Sequence, residues 1–207
     1  MKAFFVKYRR LISLMLPFLL YIFYLIVCAI VKKSDNFFST EMFLDSYIPF
    51  IDFAVYGYIS WVPLAAVSVI FLFFCPGDGY YRLIIAIAIS VLICLIISLS
   101  YPVRMDIPHF GDSAFLVAVL KNSGIASFPN IPSCILSNGF FLMIFYKKIH
   151  KRSKCLPIVL LFGLILLAWI VCALLSKMTH ISDLLIGILI GAVSSLSVWF
   201  IPFKQTH

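Results

Sequence analysis

The sequence predicts an all-α integral membrane protein of six transmembrane helices, forming a single membrane domain over residues 1–207. Of its 207 residues, 64% are hydrophobic and only 12% are charged, whereas a soluble domain carries roughly 25% charged residues. Six apolar runs alternate with short polar segments, and the basic residues are concentrated in every second segment. Such a chain cannot cover a water-facing surface, so lipid must contact much of it.

The apolar runs locate the six helices. Five runs are long enough to cross a bilayer, at about 11–31, 54–74, 83–99, 156–175 and 183–201. A shorter run at about 132–146 is marginal, and it needs either the preceding residues or a protein-lined position to serve as a crossing. The first run follows a basic start, but it lacks a small-x-small cleavage site and ends in Val31-Lys32-Lys33. We therefore expect a retained span rather than a removed signal peptide.

Charge predicts the orientation of these spans. With both termini in the cytoplasm, the cytoplasmic segments hold eleven of the sixteen basic residues, and Asp78 is their one acid. Those eleven residues are Lys2, Lys7, Arg9, Arg10, Arg82, Lys147, Lys148, Lys151, Arg152, Lys154 and Lys204. The positive-inside rule favours this arrangement. A bacterial inner membrane is the predicted location, although an organelle membrane fits the same pattern. Topology and anionic lipid account for the net charge of +8, so no nucleic-acid partner is predicted.

The six cysteines predict neither a disulfide nor a metal site. None of them forms a CxxC pair, and at least three lie inside apolar runs. A free cysteine in such a run packs as a small hydrophobic residue. The sequence predicts no metal ion and no cofactor.

Polar residues gather in three clusters at the ends of predicted spans. They are residues 101–109 after the third span, 128–134 before the fourth, and 176–183 between the fifth and sixth. Polar groups near a bilayer cost free energy, so they often mark a site or a paired contact. The charge-derived topology places all three clusters on the non-cytoplasmic side, which in a bacterium is the periplasmic face.

The three clusters predict one interfacial pocket. Its candidate residues are Arg104, His109, Ser133, Lys177, His180 and Asp183. Cations beside a His–Asp pair suit a phosphate-bearing ligand. His180 and Asp183 are three residues apart, a spacing that lets side chains touch on a helix, and a His oriented by a carboxylate is a unit of nucleophilic catalysis.

Structural alternatives stand beside these assignments. Asp183 fits a helix N-cap, Lys177 fits an interface anchor, and His109 fits a solvated loop residue. In the last span, Gly187 and Gly191 form a GxxxG segment, which predicts close packing against another helix.

The ordered motifs resemble the type 2 phosphatidic acid phosphatase superfamily, in particular its inositol-phosphotransferase-like branch. The resemblance covers about residues 45–195. The matching elements, in family order, are Asp45 to Pro49, Tyr101-Pro102 with Pro108, Pro132-Ser133, and Asp183 to Gly187.

The resemblance implies a six-helix bundle that removes or transfers the phosphoryl group of a lipid or polyprenyl phosphate at the non-cytoplasmic face. His180 would be the nucleophile that is transiently phosphorylated, and Asp183 would orient it. Arg104, Lys177 and Ser133 would hold the phosphate. Membrane lipids, among them a lipid phosphate, are then the expected partners.

The chain departs from the family pattern at three positions. Ile107 stands where the first-motif Arg belongs, with Arg104 three residues earlier. Ile135 occupies the position of the acid His. Thr179 has the spacing of the nucleophile, with His180 one residue late. These departures favour an alternative, a catalytically inactive relative that binds lipid phosphate or has a structural role. A third alternative is a small transporter or channel subunit, which the absence of midplane charge in the first five spans disfavours.

Overall fold

The computed structural model describes residues 2–31, 38–75, 78–103, 128–150 and 156–201, with side chains described for 12–27, 38–75, 78–103, 128–146 and 156–201. Within these residues the chain forms seven α-helices and one 3-10 helix. In chain order they are α1 (Lys2–Val31), the 3-10 helix (Phe43–Tyr47), α2 (Ala54–Ile59), α3 (Trp61–Phe74), α4 (Gly79–Ser100), α5 (Ile131–His150), α6 (Leu156–Leu175) and α7 (Ile181–Phe200).

Four helical stretches of the described residues are long and apolar enough to cross a membrane. They are Ala54–Phe74, Gly79–Ser100, Leu156–Leu175 and Ile181–Phe200. Two shorter apolar helices cover Ile12–Val27 and Ile131–Tyr146. The predicted helical class is thereby confirmed, and four helical stretches of the described residues have the length and apolar composition of a membrane span.

The stretch from Ala54 to Phe74 divides at Ser60, between α2 and α3. Pro63 causes the break, because it has no N–H to donate to the Ile59 carbonyl and its ring crowds that oxygen. Ser60 closes the end of α2 instead. Its backbone N–H and its hydroxyl both donate to the Gly57 carbonyl, at 3.2 Å and 2.6 Å.

Helix α5 lies at the centre of the bundle, which explains why its apolar run is short. It packs against α3, α4, α6 and α7, most extensively against α7, and residues 131–139 are all buried. A helix surrounded by other helices needs less apolar surface than one that faces lipid, and its polar side chains can bond to its neighbours.

A buried polar network joins α5 to α4 and α7. The Asn138 amide donates to Ser90 Oγ at 2.8 Å, and Ser195 Oγ donates to Asn138 Oδ1 at 2.8 Å. All three side chains are fully buried. Because an unpaired polar group is costly inside a membrane protein, these bonds favour one relative placement of the three helices.

The GxxxG segment forms the contact between α7 and α5. A Cβ added at Gly187 would lie 1.9 Å from Ser133 Oγ and 2.5 Å from the Asn130 carbonyl oxygen. One added at Gly191 would lie 2.5 Å from the Cys134 carbonyl oxygen. The close packing predicted from the two glycines is thus confirmed, because a side chain at either position would overlap α5.

The two ends of the bundle differ in the polar groups they hold. At one end, the Arg82 guanidinium donates to the carbonyls of Val198 and Trp199, at 2.8 Å and 2.6 Å, and pairs with Asp78 at 2.8 Å. It thereby bonds two carbonyls in the last turn of α7, where a helix leaves carbonyls without intrahelical partners. These contacts join the start of α4 to the end of α7, so the two helices run antiparallel. The opposite end, where α7 begins, is called the His180 end.

Candidate functional site

The described parts of the three polar clusters meet at the His180 end. Ser98, in the last turn of α4, donates its hydroxyl to the Phe128 carbonyl at 2.9 Å. The rings of Tyr101 and Phe128 are 5.6 Å apart. The Asn130 N–H donates to the backbone carbonyl of Asp183 at 3.2 Å. Segments that are far apart in sequence are therefore joined around the start of α7.

His180 is the N-cap residue of α7 and has an extended backbone, with φ −84° and ψ 161°. Its Nδ1 lies 2.9 Å from Thr40 Oγ1. The same nitrogen is 3.6 Å from Asp183 Oδ2, which is an ion-pair distance rather than a hydrogen bond. Among the hydrogen bonds of the described residues, those of the ring involve Nδ1 and not Nε2. Of the two ring nitrogens, Nε2 is thus the one that no described residue hydrogen-bonds.

Asp183 is the third residue of α7 and is almost fully buried. The N-cap alternative for Asp183 is wrong, because His180 holds that position. A carboxylate in the first turn is still favourable, since it faces the positive end of the helix dipole. Ser182 Oγ lies 3.1 Å from Asp183 Oδ1 and 2.8 Å from the Thr40 carbonyl oxygen.

Asp45 caps α7 from a distant part of the chain. Its Oδ1 accepts the Ile181 N–H at 3.0 Å, and its Oδ2 accepts the Met42 N–H at 2.8 Å. Only 4% of the residue is exposed. The sequence identified Asp45 only as part of the family match, and the available signal was an acid within an apolar, aromatic segment. This cap was missed because its partner is 136 positions away.

The electrostatic surroundings of His180 favour its protonated form. The Asp183 carboxylate facing Nδ1 is the largest cause of a raised pKa of the imidazole, and the charges of Asp45 and Glu41 add to it. Partial burial opposes the shift, because it disfavours the charged ring. The pKa of His180 is therefore raised above its ordinary value of 6.5.

We expect this raised pKa to make stability depend on pH. The folded protein holds the His180 proton more tightly than the unfolded chain does, so the stabilisation is complete below the ordinary pKa of about 6.5. It is lost as pH rises through the higher folded-state pKa. Unfolding midpoints of the detergent-solubilised protein, measured from pH 5 to about pH 9, should fall over this window. The His180→Gln variant should lack that component, and identical pH profiles for the two proteins would contradict the assignment.

Lys177 lies in the turn between α6 and α7, where its ammonium donates to the backbone carbonyl of Asp45. Its φ of 52° is in the left-handed region, and its N–H donates to the Leu174 carbonyl at 3.1 Å. Lys177 is thus close to His180 in the chain, but its side chain already holds the segment that carries Asp45.

Ser133 lies in the first turn of α5, on the side that contacts α7. Its N–H donates to Asn130 Oδ1 at 2.9 Å, and its hydroxyl donates to the Asn130 carbonyl at 2.7 Å. Asn130 therefore acts as the N-cap of α5. Ser133 is buried against Gly187. Ile135, at the family position of the acid His, packs in the hydrophobic core.

The remaining candidates are not all described. Arg104, Ile107 and His109 lie outside the described residues. Thr179 is buried, and its hydroxyl donates to the His180 carbonyl at 3.4 Å. In the described part of the chain, no group of three or more His, Cys, Asp or Glu residues is placed to hold a metal ion.

Comparison with protein-family models, with curated proteins and with solved structures found no match. The family resemblance accordingly depends on the motifs and their order along the chain. The geometry around His180 is the observation from which a function can be argued.

Proposed function

We propose that this chain is a membrane phosphatase or phosphotransferase-like protein, of the type 2 phosphatidic acid phosphatase kind, that acts on a lipid or polyprenyl phosphate. The proposal includes the six-span bundle, both termini in the cytoplasm, and a site at the non-cytoplasmic face, which is periplasmic if the membrane is a bacterial inner membrane. One observation carries it. Nδ1 of His180 faces Thr40 and Asp183, and Nε2 is left for a phosphorus atom.

In this mechanism Nε2 of His180 attacks the phosphorus atom and forms a P–N bond. The bond from phosphorus to the lipid oxygen breaks, and that oxygen takes a proton from water. Water then attacks the phosphorylated histidine, which releases phosphate and restores the imidazole. An acceptor alcohol in place of water gives phosphoryl transfer. Asp183 acts as a positioning residue, because its carboxylate faces Nδ1 and keeps the proton on that nitrogen.

Lys177, Ser133 and Arg104 are the proposed phosphate-holding residues. Lys177 follows α6 within three residues of His180, and its ammonium would have to exchange the Asp45 carbonyl for a phosphoryl oxygen. An arginine guanidinium suits this role because it can donate two parallel hydrogen bonds to one phosphate group. Attack requires Nε2 without a proton, so the raised pKa of His180 implies a rate that increases with pH through that pKa.

The direct test measures phosphate release by purified protein in vesicles that contain a panel of lipid and polyprenyl phosphates. We expect wild-type protein to release phosphate and His180→Ala to lose roughly 10³-fold or more of that rate, because the nucleophile is removed. His150→Ala is the matched control, since residue 150 ends α5 at the opposite end of the bundle. If no lipid in the panel is hydrolysed and wild type equals His180→Ala, the phosphatase proposal is wrong.

A second candidate is a catalytically inactive relative that binds lipid phosphate or serves a structural role. Two contacts favour it, since Lys177 and Ser133 both donate to backbone carbonyls. The residue at the family position of the acid His also favours this candidate. That residue is Ile135, which lies in the hydrophobic core and has no acidic proton to donate to a leaving group. This candidate predicts saturable binding of a lipid phosphate without turnover, weakened in Arg104→Ala. Hydrolysis that depends on His180 would exclude it.

A further inference from the structure

Residues 38–53, called the boundary segment, have an aromatic side and a polar anchoring side. In the 3-10 helix, Phe43 and Tyr47 are 77% and 70% exposed, and their ring centroids are 5.0 Å apart. Asp45 lies between them in sequence but is buried against α7. A soluble protein seldom presents large aromatic side chains to water in this way, and a group of them marks an interaction surface.

The boundary segment is held level with the ends of the candidate membrane spans. Its Ile51 N–H donates to the carbonyl of Leu175, the last residue of α6, at 2.9 Å. Asp45 accepts the N–H of Ile181, the first residue of α7. Phe38 donates its N–H to the Pro102 carbonyl, two residues beyond the end of α4, at 2.9 Å. If the three helices cross the membrane, these contacts place the segment at the boundary between the hydrocarbon core and the lipid headgroups.

The aromatic surface continues onto the outside of the bundle. Phe53 is 79% exposed, and its ring is 5.9 Å from that of Tyr56 in the first turn of α2. In the span that α2 begins, Ala54–Phe74, only 17% of an 18-residue apolar stretch is buried inside the protein. Aromatic side chains are enriched at the membrane–water interface, where an apolar ring and a polar edge both find suitable surroundings.

We infer that the boundary segment lies in the interfacial layer of the bilayer, with Phe43, Tyr47 and Phe53 inserted between the phospholipids of the leaflet at the His180 end. Residues 38–53 include no Lys or Arg, so the attraction is to the apolar and glycerol region rather than to anionic headgroups. Zwitterionic phosphatidylcholine is therefore a sufficient partner. The inference concerns lipid contact and not turnover, so it stands independently of the proposed phosphatase activity.

The placement also sets the depth of the candidate site. Asp45 joins the boundary segment to the first residue of α7, and His180 precedes that residue. A segment held in the interfacial layer therefore keeps the imidazole near headgroup depth.

Tryptophan fluorescence in vesicles tests the inference. Phe43→Trp and Tyr47→Trp are each reconstituted into phosphatidylcholine that carries bromine either near the glycerol end or near the methyl end of its acyl chains. Wild-type protein gives the fluorescence of the native tryptophans, which is subtracted from that of each variant. These are Trp61, Trp169 and Trp199. We expect the shallow bromines to quench both new tryptophans more strongly than the deep bromines do.

Leu164→Trp is the matched control, because Leu164 is exposed near the middle of α6. We expect the reverse order of quenching there, which also establishes that the protein is inserted. If the control behaves in this way while positions 43 and 47 are quenched by aqueous iodide and not by brominated lipid, the segment faces water and the inference is wrong. Two separate positions keep the test decisive when one substitution disturbs the fold.

Discussion

The Asp183→Asn substitution is expected to lower the turnover of the proposed lipid phosphatase by about 10⁴-fold, the loss seen when a catalytic His loses its orienting carboxylate. The Asp183 carboxylate faces Nδ1 of His180 and is the main reason for the raised pKa of that imidazole. An amide has nearly the same shape but no charge. It therefore stops holding the proton on Nδ1, and Nε2 is no longer the nitrogen with the free electron pair.

The readouts are the rate of phosphate release and its dependence on pH. In Asp183→Asn, the pH at which the residual rate increases should move down, because the pKa of His180 returns toward its ordinary value. Asp78→Asn is the matched control. Asp78 pairs with Arg82 at the opposite end of the bundle, so we expect its substitution to leave the pH dependence of the rate unchanged. Equal rates and pH profiles for wild type and Asp183→Asn would remove Asp183 from the mechanism.

Replacing Gly187 with Ala is expected to reduce the free energy of unfolding by about 1–3 kcal/mol, the usual cost of overpacking a close contact. The new Cβ would lie 1.9 Å from Ser133 Oγ and 2.5 Å from the Asn130 carbonyl oxygen. The Ser133 hydroxyl can rotate away. The Asn130 carbonyl is backbone at the start of α5 and already accepts hydrogen bonds from Ser133 and Cys134, so the two helices must separate.

Gly163→Ala in α6 is the matched control, and thermal unfolding in mild detergent is the measurement. Both substitutions gain the helix propensity of alanine, about 1 kcal/mol relative to glycine. At Gly163 the nearest atom to the added Cβ is in the Phe140 ring, at 3.0 Å, and a side chain can move more easily than backbone. We expect the unfolding midpoint to fall clearly for Gly187→Ala and to change little for Gly163→Ala. Equal midpoints would mean that α5 and α7 are not in close contact.

The helices were predictable because the signals that specify them are local. The apolar run at about 156–175 coincides with α6, and the run at about 54–74 coincides with α2 and α3 together. The apolar run that predicts α4 begins at residue 83, whereas the helix itself begins four residues earlier, at Gly79. The difference arises because Tyr80, Tyr81 and Arg82 are not apolar enough to extend the run. Arg82 is accommodated there by the carbonyls that end α7.

The sequence predicted that His180 and Asp183 would be neighbours, but not which other groups they contact. Sequence spacing brought His180 and Asp183 to one helix end, and they lie 3.6 Å apart. It could not show that Thr40 is the closer neighbour of Nδ1, at 2.9 Å. Nor could it show that Lys177 and Ser133 already donate to backbone carbonyls. A polar residue in an apolar segment indicates from sequence alone that it needs a hydrogen-bond partner. Which residue becomes that partner depends on how segments distant in sequence pack together.

The sequence by itself determined that the chain is helical, that it contains helices able to cross a membrane, and where the GxxxG contact lies. The length of an apolar run and the size of its residues are properties of a short segment. Their effect on that segment therefore does not depend on where it lies in the fold. Only the tertiary structure decided that α5 is the central helix, that Asn138 bonds to both Ser90 and Ser195, and that Asp45 caps α7 beside His180. The last two of these depend on hydrogen bonds between polar groups that are far apart in sequence. Because such groups must be paired inside the bundle, the packing of the helices determines which partners meet.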